Sequence, residues 1–146
     1  MKLAQAEAIA DRTLARGNEL GAAPLTVAVL DAGGHVVVLK RADGSGILRP
    51  QIAVAKAYGA VGMGMSSRAL GERAEKQPVF FSALAAVADG NLAPAAGGVL
   101  VHDADGTLLG AVGVSGDVSD VDERCAVLAV ADAGLVPEPG VDTLSS

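Results

Sequence analysis

The chain carries the same short pattern twice, and the pattern leaves little choice of local structure. Asp31-Ala32-Gly33-Gly34-His35-Val36-Val37 and Asp103-Ala104-Asp105-Gly106-Thr107-Leu108-Leu109 both place Asp-Ala-x-Gly between aliphatic runs. Glycine tolerates the positive φ that tight turns require, and β-branched or aliphatic flanks favour strands, so each segment is expected to be a β-hairpin. The first should pair Leu25–Leu30 with His35–Lys40 around a two-residue Gly33-Gly34 turn. The second should pair Val99–His102 with a strand reaching Val114. His35 then opens a strand near a sheet edge, where an imidazole is able to bind a metal or haem iron, move a proton, or stay an ordinary half-exposed side chain. Two copies mark recurrent hairpin chemistry or a faint duplication, not a repeat array.

Helical spacing fills the rest. Leu3, Ala6, Ala10 and Leu14 recur along Leu3–Leu20, with Gly21 as a stop. Pro50 suits the first turn of a helix running to about Met65, Ser66 or Ser67 caps one over Arg68–Lys76, and Pro78 opens a short one to about Ala88. Ser119, followed by Asp122 and Glu123, starts a last helix that ends at Gly134. The order α-β-β-α-α-α-β-β-α describes an α/β (α+β) single domain, one antiparallel sheet flanked by helices, over residues 1–135. Residues 136–146, with Pro137, Pro139 and Gly140, are expected to be a C-terminal tail without function.

Composition narrows the function classes. Hydrophobic residues make up 51% against 19% charged, which fits a folded core. A net charge of −6, with no Trp, one Tyr and two Phe, removes both the basic groove and the stacking platforms that nucleic acid needs. The apolar stretch Ala57–Met65 is far short of the roughly 20 residues that span a bilayer. No apolar h-region follows Met1, and the single Cys125 forms no internal disulfide, so a cytoplasmic protein without membrane contact is expected.

Several residues have chemistry to offer. Lys56 is the only charge on the apolar helix Gln51–Met63 and must pair, snorkel or face a cavity. Gly59 and Gly62 on that helix imply that something packs close to it. Arg41, Asp43 and Arg49 cluster before the helix and suit carboxylates, haem propionates among them. For haem or iron the candidate ligands are His35, His102, Tyr58, Met63, Met65 and Cys125. Gly110-Ala111-Val112-Gly113-Val114-Ser115-Gly116-Asp117 leads a strand into a helix start, but Asp117, Asp120, Asp122 and Glu123 make that end acidic. The carboxylates cap the helix and complement its dipole, or they hold a divalent cation. No zinc spacing and no Gly-x-Ser-x-Gly nucleophile motif is present.

Val29–Val36, Arg41-Ala42-Asp43-Gly44, Ala55-Lys56-Ala57 and Gly110–Asp117 with Asp122-Glu123, in this order and spacing, resemble the GlcG/HbpS haem-binding family, also called the haem-degrading domain family, up to about Leu135. The resemblance implies a profilin-like fold, assembly into homo-oligomers, and a haem or iron ligand. It matches His35 to a haem ligand and metal site, Lys56 to the lysine of the central helix, and Gly113, Ser115 and Gly116 to a glycine-serine loop. On this reading the chain is a small cytoplasmic homo-oligomer binding haem, a related tetrapyrrole or iron, with Arg41 or Arg49 near the propionates and Lys56, Gly113 and Ser115 in the site. Two alternatives stand beside it. One is a cofactor-free isomerase or lyase acting on a small metabolite through His35 and Lys56. The other is an accessory protein without a ligand.

Overall fold

The computed structural model describes residues 1–144. The elements are α1 (Leu3–Glu19), β1 (Thr26–Asp31), β2 (Val36–Arg41), α2 (Arg49–Met63), α3 (Ser67–Lys76), α4 (Pro78–Val87), β3 (Gly98–His102), β4 (Leu108–Ser115), α5 (Ser119–Asp132) and β5 (Val136–Glu138), followed by a 3-10 turn at Val141–Thr143. The strands form one sheet in the order β2-β1-β4-β3-β5, antiparallel at every neighbour.

Alternation along the strands sorts the core into two layers. Val27, Val29, Val99, Val101, Val112 and Val114 face α1 and α5, where Ile9, Ala10, Val127 and Val130 meet them. Ala28, Leu30, Leu100 and Ala111 face α2, which presents Ala53, Ala57 and Ala60. Small residues on both sides let α2 lie unusually close. Ala28, Gly113 and Gly98 are register partners across β1, β4 and β3. A Cβ at Gly113 would collide with the Ala53 carbonyl, and one at Gly98 with the Lys56 carbonyl. The close approach expected at Gly59 is also present, for a Cβ there would meet Leu92 Cδ1 at 2.8 Å, whereas Gly62 has open space.

Both hairpins form, but the turn geometry differs from the expected two-residue turn. In the first, Gly34 N donates to Asp31 O and Asp31 N donates to His35 O, and Gly34 alone has positive φ, at 83°. That is a three-residue loop closed by a glycine bulge, the next most common hairpin solution. It shifts the register by one between Val29 and Leu30, so β2 begins at Val36 and His35 belongs to the turn. The expected tail also differs. Val136–Glu138 pairs with β3 as an edge strand, a position where Pro137 needs no ladder N–H. Leu135 and Leu144 pack against the α1/α5 core.

Candidate functional site

Asp31 organises the first turn. Its Oδ1 accepts from the backbone N–H groups of Gly33 and His35, both at 2.9 Å, and lies 3.2 Å from His35 Nδ1. These bonds, led by the His35 N–H, hold the Asp31 carboxyl below its ordinary value. The ring folds back over Gly33, where an added Cβ would stand 2.9 Å from His35 Cε1. A carboxylate on Nδ1 draws the ring proton to that nitrogen and leaves the Nε2 lone pair for a ligand. The imidazole is 80% exposed, so Nε2 is accessible.

Next to this turn runs a groove of about 700 Å³, lined by Leu39 of β2, by Pro50, Gln51, Val54 and Tyr58 of α2, and by the loop Ala88–Asn91. Its size lies within the range of small-molecule sites. Gly34 touches one end of it, since a Cβ there would stand 3.0 Å from Tyr58 Cε2. From Tyr58 to Pro50 the helix rises about 12 Å. Beyond Pro50 is Arg49, whose Nη1 donates to Ser115 Oγ at 3.0 Å. Arg41, two positions past Leu39, donates to the Ser45 carbonyl at 2.7 Å. None of His35, Arg41 and Arg49 lines the groove itself: His35 adjoins its Tyr58 end through Gly34, and the two arginines lie beyond Leu39 and Pro50, with Arg41 about 20 Å from His35 along the chain.

Lys56 lies elsewhere, under the sheet. Its Nζ donates to the Val114 carbonyl at 2.9 Å and to Asp122 Oδ2 at 3.2 Å, and both side chains are buried. Of the three fates open to this lysine, the structure shows pairing. Burial pushes the lysine pKa down and the Asp122 pKa up, while their mutual attraction opposes both shifts. Gly113 is where α2 touches β4, and Ser115 is buried against Arg49.

The acidic group at the start of α5 is consumed by neighbours. Asp117 accepts from the N–H groups of Ala23 and Val118, which lower its pKa. Asp120 and Glu123 both bind Arg68, whose guanidinium pKa rises as a result. Asp122 takes Lys56 and the Asp117 N–H. Among the described residues no three His, Cys, Asp or Glu side chains converge on a metal site. Cys125 is buried and its thiol is pushed up to about 11, chiefly by desolvation, which makes it a poor thiolate ligand. His102, Met63 and Met65 are partly buried and line no part of the groove. The sequence reading passed over three partners: Asp31 as the orienting carboxylate, Asp122 as the counter-ion of Lys56, and the Ala88–Asn91 wall. Only the first left a signal, the Asp that recurs at the start of both turn motifs.

Residues 1–131 match the family described as haem degrading protein HbpS-like. Solved structures share the fold. A double mutant of HbpS from Streptomyces reticuli is 28% identical, with 90% of this chain and 86% of that one covered and a TM-score of 0.79. A PduOC–heme complex is 23% identical over 92% and 96%, with a TM-score of 0.83. Protein ORFY from Klebsiella pneumoniae is 21% identical over 91% and 89%, with a TM-score of 0.80. No curated protein sequence matches the chain.

Proposed function

From the premise that the chain belongs to the HbpS-like family of haem degrading proteins, we propose that it binds haem or a related tetrapyrrole in the groove beside α2, as an assembly of several copies in the cytoplasm. The observation that carries this reading is the His35 turn. An exposed imidazole is held by a carboxylate on Nδ1, and its neighbour Gly34 touches the Tyr58 end of an apolar groove. His35 Nε2 would ligate the iron. Leu39, Val54 and Tyr58 would line the ring, and Arg41 or Arg49, beyond the Leu39 and Pro50 end, would meet the acidic side groups. Bound haem would supply a redox-active iron whose properties follow the residue that holds it. The protein's own contribution is to fix one tautomer of His35 through Asp31 and to offer a largely apolar wall beside it.

The test is an absorbance titration of the purified protein with haemin, run beside His35→Ala. A saturable Soret change with an endpoint near one haem per chain, lost in the variant, is expected. Equal saturable changes in both proteins would remove His35 as ligand. A weak, non-saturating change in both would remove haem itself.

A further inference from the structure

Helix α4 stands out from the rest of the chain. Residues 77–88 carry no charge, yet α4 packs chiefly on α3 and buries only Phe81. Val79 is 84% exposed, Phe80 52% and Val87 82%, and Ala83 and Ala86 are exposed beside them. Helical spacing puts Val79, Ala83 and Val87 in one row, flanked by Phe80 on one side and Ala86 on the other. A contiguous apolar surface of this kind marks an interaction site.

We propose that α4 pairs antiparallel, about a two-fold axis at Ala83, with α4 of a second copy of this chain. This rests on the reading above that copies of the chain assemble, and names the surface that joins them. The pattern is self-complementary, as a two-fold contact requires. Ala83 meets Ala83 of the partner subunit, and the small side chains allow the helices to approach closely. Phe80 packs on Val87 of the partner subunit and Val79 on Ala86 of the partner subunit, large beside smaller at each step. The charges at the helix ends fix the direction. Exposed Lys76 precedes α4 and exposed Asp89 follows it, so only the antiparallel arrangement sets Lys76 beside Asp89 of the partner subunit. A chain of net charge −6 is repelled by anionic lipid, and its own copy is the surface that α4 complements residue by residue. Loop Ala88–Asn91 leaves α4 to wall the groove, so the second copy stands next to the proposed ligand site.

Light scattering coupled to size exclusion, on the full chain, tests this together with disulfide trapping. The wild type should run at twice the chain mass or more, and Val79→Glu/Val87→Glu at a lower mass with an unchanged far-UV spectrum. Ala83→Cys should cross-link to a covalent dimer on mild oxidation, whereas Glu72→Cys on α3 should not, buried Cys125 being silent in both. The cross-link reads the pairing even if the double variant fails to fold. A wild type of single-chain mass would overturn both the assembly reading and this one. A larger wild type that is unchanged by the double variant and gives no Ala83→Cys cross-link would leave assembly standing and overturn the α4 pairing.

Discussion

The two hairpin turns are built alike and situated differently. In each, an aspartate caps two backbone N–H groups with one oxygen. Asp31 takes Gly33 and His35, and Asp103 takes Asp105 and Thr107, all four bonds at 2.9 Å. Gly34 and Gly106 share a φ of 83°. The differences lie in three side chains. The first turn has Gly33 where the second has Asp105, His35 where the second has Thr107, and Tyr58 against Gly34 where Gly106 has open space. The scaffold is therefore generic, and the first turn is set apart by what is hung on it: an imidazole, the space for that imidazole to fold back, and a groove beside it.

The largest effect should come from exchanging the two exit residues. His35→Thr removes the proposed iron ligand while keeping a residue that the second turn already accommodates, so haemin affinity should fall at least about a hundredfold, beyond the 10–100-fold typical of losing only an orienting partner. Adding Thr107→His restores an imidazole over an equivalent aspartate but with no groove, and should not recover binding. Recovery in the double variant would show that an oriented histidine suffices and that the groove is irrelevant.

Stability should separate the turns next. Gly34→Ala and Gly106→Ala impose the same positive-φ strain, about 1 kcal/mol. Only the first brings a methyl against the Tyr58 ring, 3.0 Å away and packed along α2, and displacing that ring adds about 0.5 kcal/mol. Denaturant unfolding should therefore find Gly34→Ala the costlier by about that margin, with Tyr58→Ala erasing the difference. Equal costs would mean that the turn does not press on the groove.

How much of this was legible in the sequence follows the range of each interaction. The hairpins, the helices and their order rest on contacts within a few residues, and the pattern showed them. The turn type escaped because the Asp31 cap competes with the two-residue geometry that paired glycines favour. The edge strand β5 escaped because its pairing with β3 outweighs the local signal of Pro137 and Pro139. Lys56 was visibly out of place on an apolar helix, but its partner Asp122 lies 66 positions away and looked like an ordinary helix-start carboxylate. The groove wall at Ala88–Asn91 is set by how α4 leaves the fold, which no local pattern encodes.

Gly33 offers a finer cut. Its missing Cβ makes room for the His35 ring, whose Cε1 would lie 2.9 Å from that atom. Gly33→Ala should therefore swing the ring off Asp31 at little cost in stability, since the ring is exposed and free to move. Haemin affinity should drop about tenfold, the lower end for a lost orienting contact. Asp105→Ala in the second turn should change neither quantity. A Gly33→Ala protein that binds haemin like the wild type would show that iron ligation does not depend on the folded-back imidazole.

The smallest effect concerns protons. Asp31 has a depressed pKa, through the His35 N–H first, then the Gly33 N–H and the imidazole. A carboxyl whose folded pKa lies below its unfolded one stabilises the fold above the unfolded value, about 4. That contribution is lost as the pH falls through the depressed folded value. Asp31→Asn keeps an oxygen acceptor for both N–H groups but removes the charge. The stability gap between wild type and variant should thus stay constant at neutral pH and close under acid, with unfolding midpoints converging as the pH drops below that of free aspartate. A wild-type advantage that persists undiminished in acid would mean that the Asp31 side chain acts by shape alone, and that its hold on His35 is not electrostatic.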